Sequence, residues 1–299
     1  MLDRRLLLAA TISIAGLGLT GVRNAAAADV ADVLTTRLAE LETGSGGRLG
    51  VGMLDTATGM VRGHRLDERF PLCSTFKVLA AGLVLSRVDQ NQEQLDRRVH
   101  YQKQDLVTYS PATEKHVADG MTMAELCAAA ITLSDNTAGN LLLASFGGPP
   151  ALTAFARRLG DDVTRLDRNE TDLNEALPGD PRDTTTPRAM AETMRKLALG
   201  DVLSPASREQ LVAWLKANTT GGARLRAGVP QGWVVGDKTG TGERGTANDA
   251  AILWPPRRPP VIVTVYLTGA TVVREQQNAT ISQAGAAVVA ASVKDAPPR

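Results

Sequence analysis

The chain has 299 residues, with 33 Lys or Arg and 32 Asp or Glu, for a formal net charge of +1. Such a balance gives no electrostatic footprint for nucleic acid, and aromatic residues (3%) are too scarce for base-stacking surfaces. With 43% hydrophobic residues, the chain can fill a sizeable core in one large domain or two fused subdomains.

The first 28 residues predict an export signal. Asp3-Arg4-Arg5 is followed by an apolar stretch from Leu6 to about Thr20 and by the small residues Ala25–Ala28, which suit a cleavage site. The stretch is shorter than the roughly 20 residues of a bilayer span, which makes a retained anchor the weaker alternative. The paired arginines are compatible with a twin-arginine signal. We expect a periplasmic or secreted protein without stable membrane association after cleavage.

The periodicity of apolar residues changes twice along the rest of the chain. A helix is predicted over Asp29–Glu42, followed by a hairpin of two strands at Arg48–Asp55 and Met60–Leu66. From Ser74 to about Lys216 the pattern is predominantly helical, and then alternation of period two returns. The last predicted elements are three strands and a closing helix, at Trp233–Asp237, Ala250–Trp254, Val261–Leu267 and Glu275–Val293.

This order predicts a sheet built from both ends of the chain, with an all-helical subdomain inserted between them. After the signal at 1–28, we expect an α/β subdomain formed by 29–68 and 217–299, and an all-helical subdomain at 69–216. Helix starts inside the insertion are marked by a capping box at Thr122 and by Thr186-Pro187 and Ser204-Pro205. Residues 165–183 form a polar loop that is too long for a simple connection, which is typical of a functional or disordered loop.

Cysteine and histidine give no reason to expect a metal or another cofactor. The two cysteines, Cys73 and Cys127, are too few for a disulfide framework. The three histidines, spread over residues 64–116, do not have the spacing of metal ligands.

The helical region begins with Ser74-Thr75-Phe76-Lys77, in which Lys77 is an unfavourable residue for the stability of a helix start. A serine that caps a helix is usually followed three residues later by Glu or Gln, whereas Lys77 places positive charge at the positive end of the helix dipole. The two side chains lie on one helix face, and a desolvated lysine can accept a proton from a hydroxyl. A capped helix is the alternative, and it is favoured when this motif is taken alone.

Three further groups carry the same ambiguity. Ser134-Asp135-Asn136 suits a turn or helix cap, but it also offers a hydroxyl for proton relay and an amide for a carbonyl. Lys238-Thr239-Gly240 suits a strand end, but it also could dock an anionic substrate at a sheet edge. Glu170 and Asn174 suit a polar surface loop, but four residues apart they could hold a water as general base and orienter.

Taken together, these motifs resemble those of the class A serine β-lactamases over roughly residues 29–295. Ser-x-x-Lys, Ser-Asp-Asn and Lys-Thr-Gly occur in the family's order and in the expected elements. The resemblance implies an α/β (α+β sandwich) fold: an antiparallel five-stranded sheet flanked by N- and C-terminal helices, an inserted all-helical subdomain, and the active site between the two. It also implies hydrolysis of β-lactam antibiotics, hence antibiotic resistance, and a monomer whose partner is the small-molecule substrate.

The resemblance also implies a role for each motif residue. Ser74 would form the acyl-enzyme, with Lys77 or Glu170 as the base for acylation, and Glu170 with Asn174 would activate the water that hydrolyses it. The backbone N–H groups of Ser74 and Thr241 would form the oxyanion hole. Ser134 would serve the lactam nitrogen as a catalytic residue. The implied substrate-binding residues are Asn136, Asn174, Lys238, Thr239, Gly240, Thr241, Arg224 and Tyr109.

Two departures from the family pattern change individual assignments. Some members bind the substrate carboxylate with an arginine where this chain has Ala247, so the role falls to Arg224, with a solvated basic residue as the alternative. Family disulfides would join Cys127 to the position of Ala81, or Cys73 to that of Gly242. Neither is available, so we expect two free thiols, and a dedicated carbapenemase is less favoured.

The resemblance also implies an ion pair in the polar loop and leaves two alternative functions to compare. Arg168 and Asp183 match the pair that closes the Ω-loop carrying Glu170. A penicillin-binding DD-peptidase and a covalent β-lactam sensor domain are the alternatives, and both share the first three motifs. The water site implied for Glu170 and Asn174 argues against both of them.

Overall fold

A five-stranded antiparallel sheet forms the centre of the structure. The computed structural model describes residues 33–294, so the predicted signal at 1–28 and the start of the first helix lie outside the described residues. With strands numbered in chain order, the sheet order is β2-β1-β9-β8-β7. Its strands are β1 Arg48–Asp55, β2 Val61–His64, β7 Val234–Thr241, β8 Ala247–Trp254 and β9 Val261–Thr268.

Two short antiparallel pairs lie outside this sheet. They are β3 with β6 and β4 with β5, with bounds Phe70–Pro71, Thr184–Thr185, Arg98–Val99 and Met121–Thr122. The first pair joins the segment before Ser74 to the end of the long polar loop, because Phe70 pairs with Thr185 and Pro71 with Thr184.

The helices fill the middle of the chain and both ends. The first described one, α1, covers residues 33–45. The others are α2 Phe76–Asp89, α3 Met123–Thr132, α4 Asn136–Phe146, α5 Gly148–Arg158, α6 Pro187–Ala198, α7 Pro205–Lys216, α8 Leu225–Gly228 and α9 Arg274–Lys294. Within residues 33–294 none of the helices has the length and apolar character that crossing a membrane requires.

The predicted α/β architecture is confirmed, including the antiparallel five-stranded sheet. β1 has the predicted bounds, whereas β7 and β8 are longer than predicted. The extension of β7 to Thr241 places Lys238-Thr239-Gly240 within the strand, and β7 is an edge strand, as expected. The domain boundaries remain a prediction.

Alternation along the strands separates two hydrophobic cores. In β9, Val261, Val263, Val265 and Leu267 pack on one face against residues of α1 and α9, while Ile262 and Tyr266 face the helical region. Successive side chains of a strand point to opposite faces, which produces this division. Helix α2 lies in the larger core, and its residues 76–86 are all buried. Each fully buried large apolar side chain there stabilises the fold by about 1.5–3 kcal/mol.

The predicted helix starts are confirmed by their cap hydrogen bonds. The Thr122 hydroxyl accepts from Glu125 N, and Thr122 N donates to the Glu125 carboxylate, as in a capping box. The Thr186 and Ser204 hydroxyls each accept the backbone N–H three residues ahead. Such caps are each worth about 1 kcal/mol.

Candidate active site

A cleft of about 380 Å³ lies between β7 and the helical region. Eight of its lining residues were predicted as site residues from the sequence, and the ninth, Thr220, was not. The lining consists of Ser74, Tyr109, Ser134, Asn136, Asn174, Thr220, Arg224, Thr239 and Thr241. The structure therefore brings residues from six separate segments of the chain to one place.

Ser74 lies in a short 3₁₀ turn, Cys73–Thr75, immediately before α2. Thr75 is the N-cap residue of α2, and the Ser74 hydroxyl is directed to Lys77 and Glu170 instead of capping the helix. The capped-helix alternative is therefore wrong for Ser74. Gly240 packs against this turn, where an added Cβ would lie 3.0 Å from Leu72 O and 3.2 Å from Cys73 Cβ. A side chain at this position would press on the turn, so the glycine favours the close approach of β7 to the serine.

Lys77 is the centre of a buried polar network. Its Nζ donates to Ser74 Oγ at 3.0 Å, to Ser134 O at 2.9 Å and to Asn136 Oδ1 at 2.7 Å. It also lies 2.9 Å from Glu170 Oε1, and both side chains are fully buried. Burial lowers the pKa of Lys77, while the Glu170 carboxylate acts in the opposite direction. A lysine with a lowered pKa is unprotonated in a larger fraction of molecules near neutral pH, and only that form can accept a proton from a neighbouring hydroxyl.

Glu170 is held on three sides. Its Oε1 accepts from Ser74 Oγ at 3.1 Å, and its Oε2 accepts from Asn174 Nδ2 at 2.5 Å. The Asn140 side chain fixes the backbone of Glu170, because its Oδ1 accepts from Glu170 N and its Nδ2 donates to Glu170 O. Asn174 Oδ1 is buried and has no hydrogen-bond partner among the described residues. An acceptor beside a carboxylate is therefore open toward a further donor.

Lys238 connects the strand to the serine of the second motif. Its Nζ donates to Ser134 Oγ at 2.9 Å and to Thr239 O at 2.8 Å. Burial and the nearby positive charge of Lys77 lower the pKa of Lys238 well below the ordinary lysine value. Ser134 has a positive φ of 60° and directly precedes Asp135, the N-cap residue of α4.

Arg224 is buried, so the alternative of a solvated basic residue is wrong. Its guanidinium donates to Gly240 O and Asn248 O, both at 2.7 Å, and to Thr241 Oγ1 at 2.8 Å. Asn278 Oδ1 accepts from Arg224 Nε at 2.9 Å. Burial lowers the pKa of Arg224, but an arginine remains protonated in proteins. The arrangement places a fixed positive charge at the wall of the cleft.

The other predicted residues occupy the edges of the same cleft. Tyr109 is 57% exposed and lines the opening, with a positive φ of 65°. The Thr239 hydroxyl lies 2.5 Å from the Thr220 hydroxyl, which identifies Thr220 as a neighbour that sequence reasoning missed. Asn136 Nδ2 donates to Thr108 O, which orients its amide oxygen toward Lys77.

The long polar loop is closed by the predicted ion pair. Arg168 Nε donates to Asp183 Oδ2 at 2.6 Å, and Arg168 Nη1 donates to Glu175 at 2.7 Å. Asp183 is almost completely buried, whereas the Arg168 side chain is 18% exposed. The loop is therefore ordered around Glu170.

Two asparagines that contact the site residues were not predicted from the sequence. Asn140 lies four residues after Asn136, one turn along α4, so helical spacing was the signal that could have identified it. Asn248 donates to Pro71 O and Leu72 O, which supports the turn that carries Ser74. Only the strand pairing, which places Asn248 opposite Gly240, reveals that role.

Both cysteines lie among the described residues, and both are free and buried. An added Cβ at Gly242 would lie 2.7 Å from Cys73 Sγ. In the described range, no three His, Cys, Asp or Glu side chains are grouped so that they could hold a metal ion.

Comparison with known proteins agrees with this geometry. A family model described as the β-lactamase enzyme family matches residues 33–292. β-Lactamase AST-1 of Nocardia asteroides is 51% identical over 295 residues, covering 96% of this chain and 95% of that protein. β-Lactamase CTX-M-8 of Citrobacter amalonaticus is 55% identical over 232 residues, covering 78% and 80%. The crystal structure of the class A β-lactamase PenP from Rhodopseudomonas palustris is 77% identical, covers 86% of this chain and 99% of its own, and superposes with a TM-score of 0.86.

The family match spans most of the chain, and these relatives share more than half of the aligned residues with it. The chain therefore belongs to the β-lactamase enzyme family and is a class A serine β-lactamase, a hydrolase of β-lactam antibiotics.

Proposed function

We propose that this enzyme hydrolyses the β-lactam amide bond through an acyl-enzyme on Ser74. Ser74 Oγ attacks the lactam carbonyl carbon and its proton passes to the buried network of Lys77 and Glu170. The carbon–nitrogen bond then breaks, and the nitrogen takes up a proton through Ser134, which Lys238 contacts at 2.9 Å. Either Lys77, at 3.0 Å, or Glu170, at 3.1 Å, is within reach of the Ser74 proton.

Deacylation is assigned to Glu170 and Asn174. A water attacks the ester carbonyl, Glu170 takes one proton of that water, and Ser74 Oγ leaves with a proton returned by the network. The unpartnered Asn174 Oδ1 carries this proposal, because a buried acceptor beside the Glu170 carboxylate can orient a water that donates to both. A peptidase or a sensor would have no use for this pair.

Substrate recognition is assigned to the residues of β7 and its neighbours. Lys238 and Arg224 supply positive charge for the substrate carboxylate, and the hydroxyls of Thr239 and Thr241 supply hydrogen bonds to it. The N–H groups of Ser74 and Thr241 are the proposed oxyanion hole. Asn136, Gly240 and Tyr109 complete the proposed binding wall.

The test separates acylation from deacylation with Glu170→Gln. This change keeps the shape of the side chain but removes the base, so we expect nitrocefin turnover to fall by about 10²–10⁴-fold. Mass spectrometry of the intact protein should then show a stable adduct on Ser74. Asp172→Asn is the matched control, because Asp172 is an exposed acid on the same loop. Stoichiometric acylation of the unmodified enzyme without turnover would contradict the proposal.

We also propose export and a monomeric state. The signal predicted at 1–28 supports a periplasmic or secreted location, and fractionation of cells that produce the full chain, with and without Arg4→Lys/Arg5→Lys, would test the twin-arginine route. Light scattering after size exclusion should give the mass of one chain.

A further inference from the structure

The Ω-loop, residues 165–183, is joined to the turn between β7 and β8, residues 242–246. Glu243 N donates to Asn174 O at 2.9 Å, and the Arg244 guanidinium donates to Glu175 O. An added Cβ on Gly242 would lie 2.9 Å from Asn174 O, so the backbones are in close contact here. We call these contacts the rim junction.

The turn side of the rim junction is anchored to the sheet. Gly242 N donates to Thr246 O at 3.1 Å and Thr246 N to Glu243 O at 3.0 Å, while Gly269 N donates to Arg244 O at 2.9 Å. The Arg244 side chain, 39% exposed, extends from this anchored turn to the loop. The turn can therefore act as the fixed partner in the junction.

The loop side borders open space at two places. The cleft of about 380 Å³ includes Asn174, and a second cavity of about 680 Å³ behind the loop is lined by Ala176, Leu177 and Arg244. Leu173 is buried in the helical core and fixes the loop at that point, whereas residues 176–181 border the second cavity and have less packing to restrain them. The polar contacts with the turn therefore add to the packing of Leu173 and to the Arg168–Glu175 contact in positioning residues 174 and 175.

Asn174 links the rim junction to the proposed chemistry. Its backbone oxygen accepts from Glu243 N, and its side chain donates to Glu170 Oε2 at 2.5 Å. A shift of this backbone moves the side chain that orients Glu170. A misplacement of about 1 Å in a reacting group can cost on the order of 10²-fold in rate.

We propose that Arg244 is a positioning residue for deacylation, which holds Glu175 and, through it, Asn174 and Glu170 in their working geometry. The inference rests on the deacylating role proposed for Glu170 and Asn174. If Arg244→Ala slows deacylation until that step limits the rate, kcat and KM fall together while kcat/KM, which reports acylation, stays the same.

The experiment compares Arg244→Ala with Arg182→Ala and Arg244→Lys. Arg182 is a matched control, since it is 45% exposed and its side chain bonds Asp180 within the same loop. We expect parallel falls of about fivefold in kcat and KM for a penicillin in Arg244→Ala, together with acyl-enzyme visible by mass spectrometry at steady state. Arg182→Ala should match the unmodified enzyme, and Arg244→Lys should recover part of the rate.

Two outcomes overturn the inference. Unchanged kinetics in Arg244→Ala would do so, and a lower kcat with unchanged KM would indicate only a loss of folded enzyme. If Glu170→Gln accumulates acyl-enzyme but Arg244→Ala behaves in either of these ways, the inference alone fails. If Glu170→Gln turns nitrocefin over as fast as the unmodified enzyme, the proposed deacylation fails, and the inference fails with it.

Discussion

Asp183 binds Arg168 through both carboxylate oxygens, with Oδ2 accepting from Nε at 2.6 Å and Oδ1 from the backbone N–H at 2.9 Å. Asp183→Asn removes the charge and turns one acceptor into a donor that faces other donors. Because breaking a buried ion pair leaves the charge of Arg168 without its partner, we expect the free energy of unfolding to fall by about 3 kcal/mol. Deacylation should slow more than acylation, since the loop carries Glu170. Equal loss of burst amplitude and steady-state rate would contradict this prediction.

Arg224→Ala is expected to raise KM for penicillins about tenfold with little change in kcat, because a charge-assisted contact made equally in the ground and transition states is lost. A methyl ester of the same substrate lacks the carboxylate, so its KM should not respond. Arg224→Lys retains a positive charge and should be less affected. Thermal unfolding of each variant controls for the structural bonds to Gly240 O and Asn248 O. An unchanged KM for penicillins would assign the carboxylate to other groups.

The lowered pKa of Lys238 leads us to expect that substrate binding depends on pH. In the proposed role Lys238 binds the substrate carboxylate when protonated, and its pKa is well below the ordinary 10.5. KM for carboxylate-bearing substrates should therefore be constant at lower pH and rise as pH passes this lowered pKa. In Lys238→Arg the charge persists, because arginine stays protonated, and the rise in KM should move to higher pH. The measurement is KM against pH for both enzymes, and coincident profiles would refute the assignment.

The two thiols should be inert in the folded enzyme. Burial raises the pKa of both Cys73 and Cys127 above the ordinary thiol value. Ellman's reagent should thus react very slowly with the native protein and rapidly with two thiols per chain in guanidinium chloride. Fewer than two reactive thiols after unfolding would show that a disulfide had formed.

The sequence predicted the sheet well where local patterns and packing agree. β1 is buried on both faces from its second residue onward and has its predicted bounds. β8 begins at Ala247, three residues before the predicted start at Ala250. The prediction was too short because Asn and Asp, which occupy positions 248 and 249, are uncommon in strands. Their strand positions are stabilised by tertiary partners, including Leu225 N, which donates to Asp249 Oδ2.

The candidate site was predictable as far as its residues formed motifs. Short spacings identified Ser74 with Lys77, and Glu170 with Asn174, but spacing cannot show that Lys77 lies 2.9 Å from a carboxylate 93 residues away in the chain. The rim junction could not be predicted either, because its acceptors are the backbone oxygens of Asn174 and Glu175, which any residue type provides.

Helix α2 has a consequence for how this enzyme can change over generations. Its residues 76–86 are enclosed on all sides, and Ser74 stands at its entrance. Substitutions that change side-chain volume in this helix disturb the surrounding core, whereas the Ω-loop and the β7–β8 turn border open space. New antibiotics should therefore select variants at the margins of the cleft, while the helix behind the nucleophile is inherited almost unaltered.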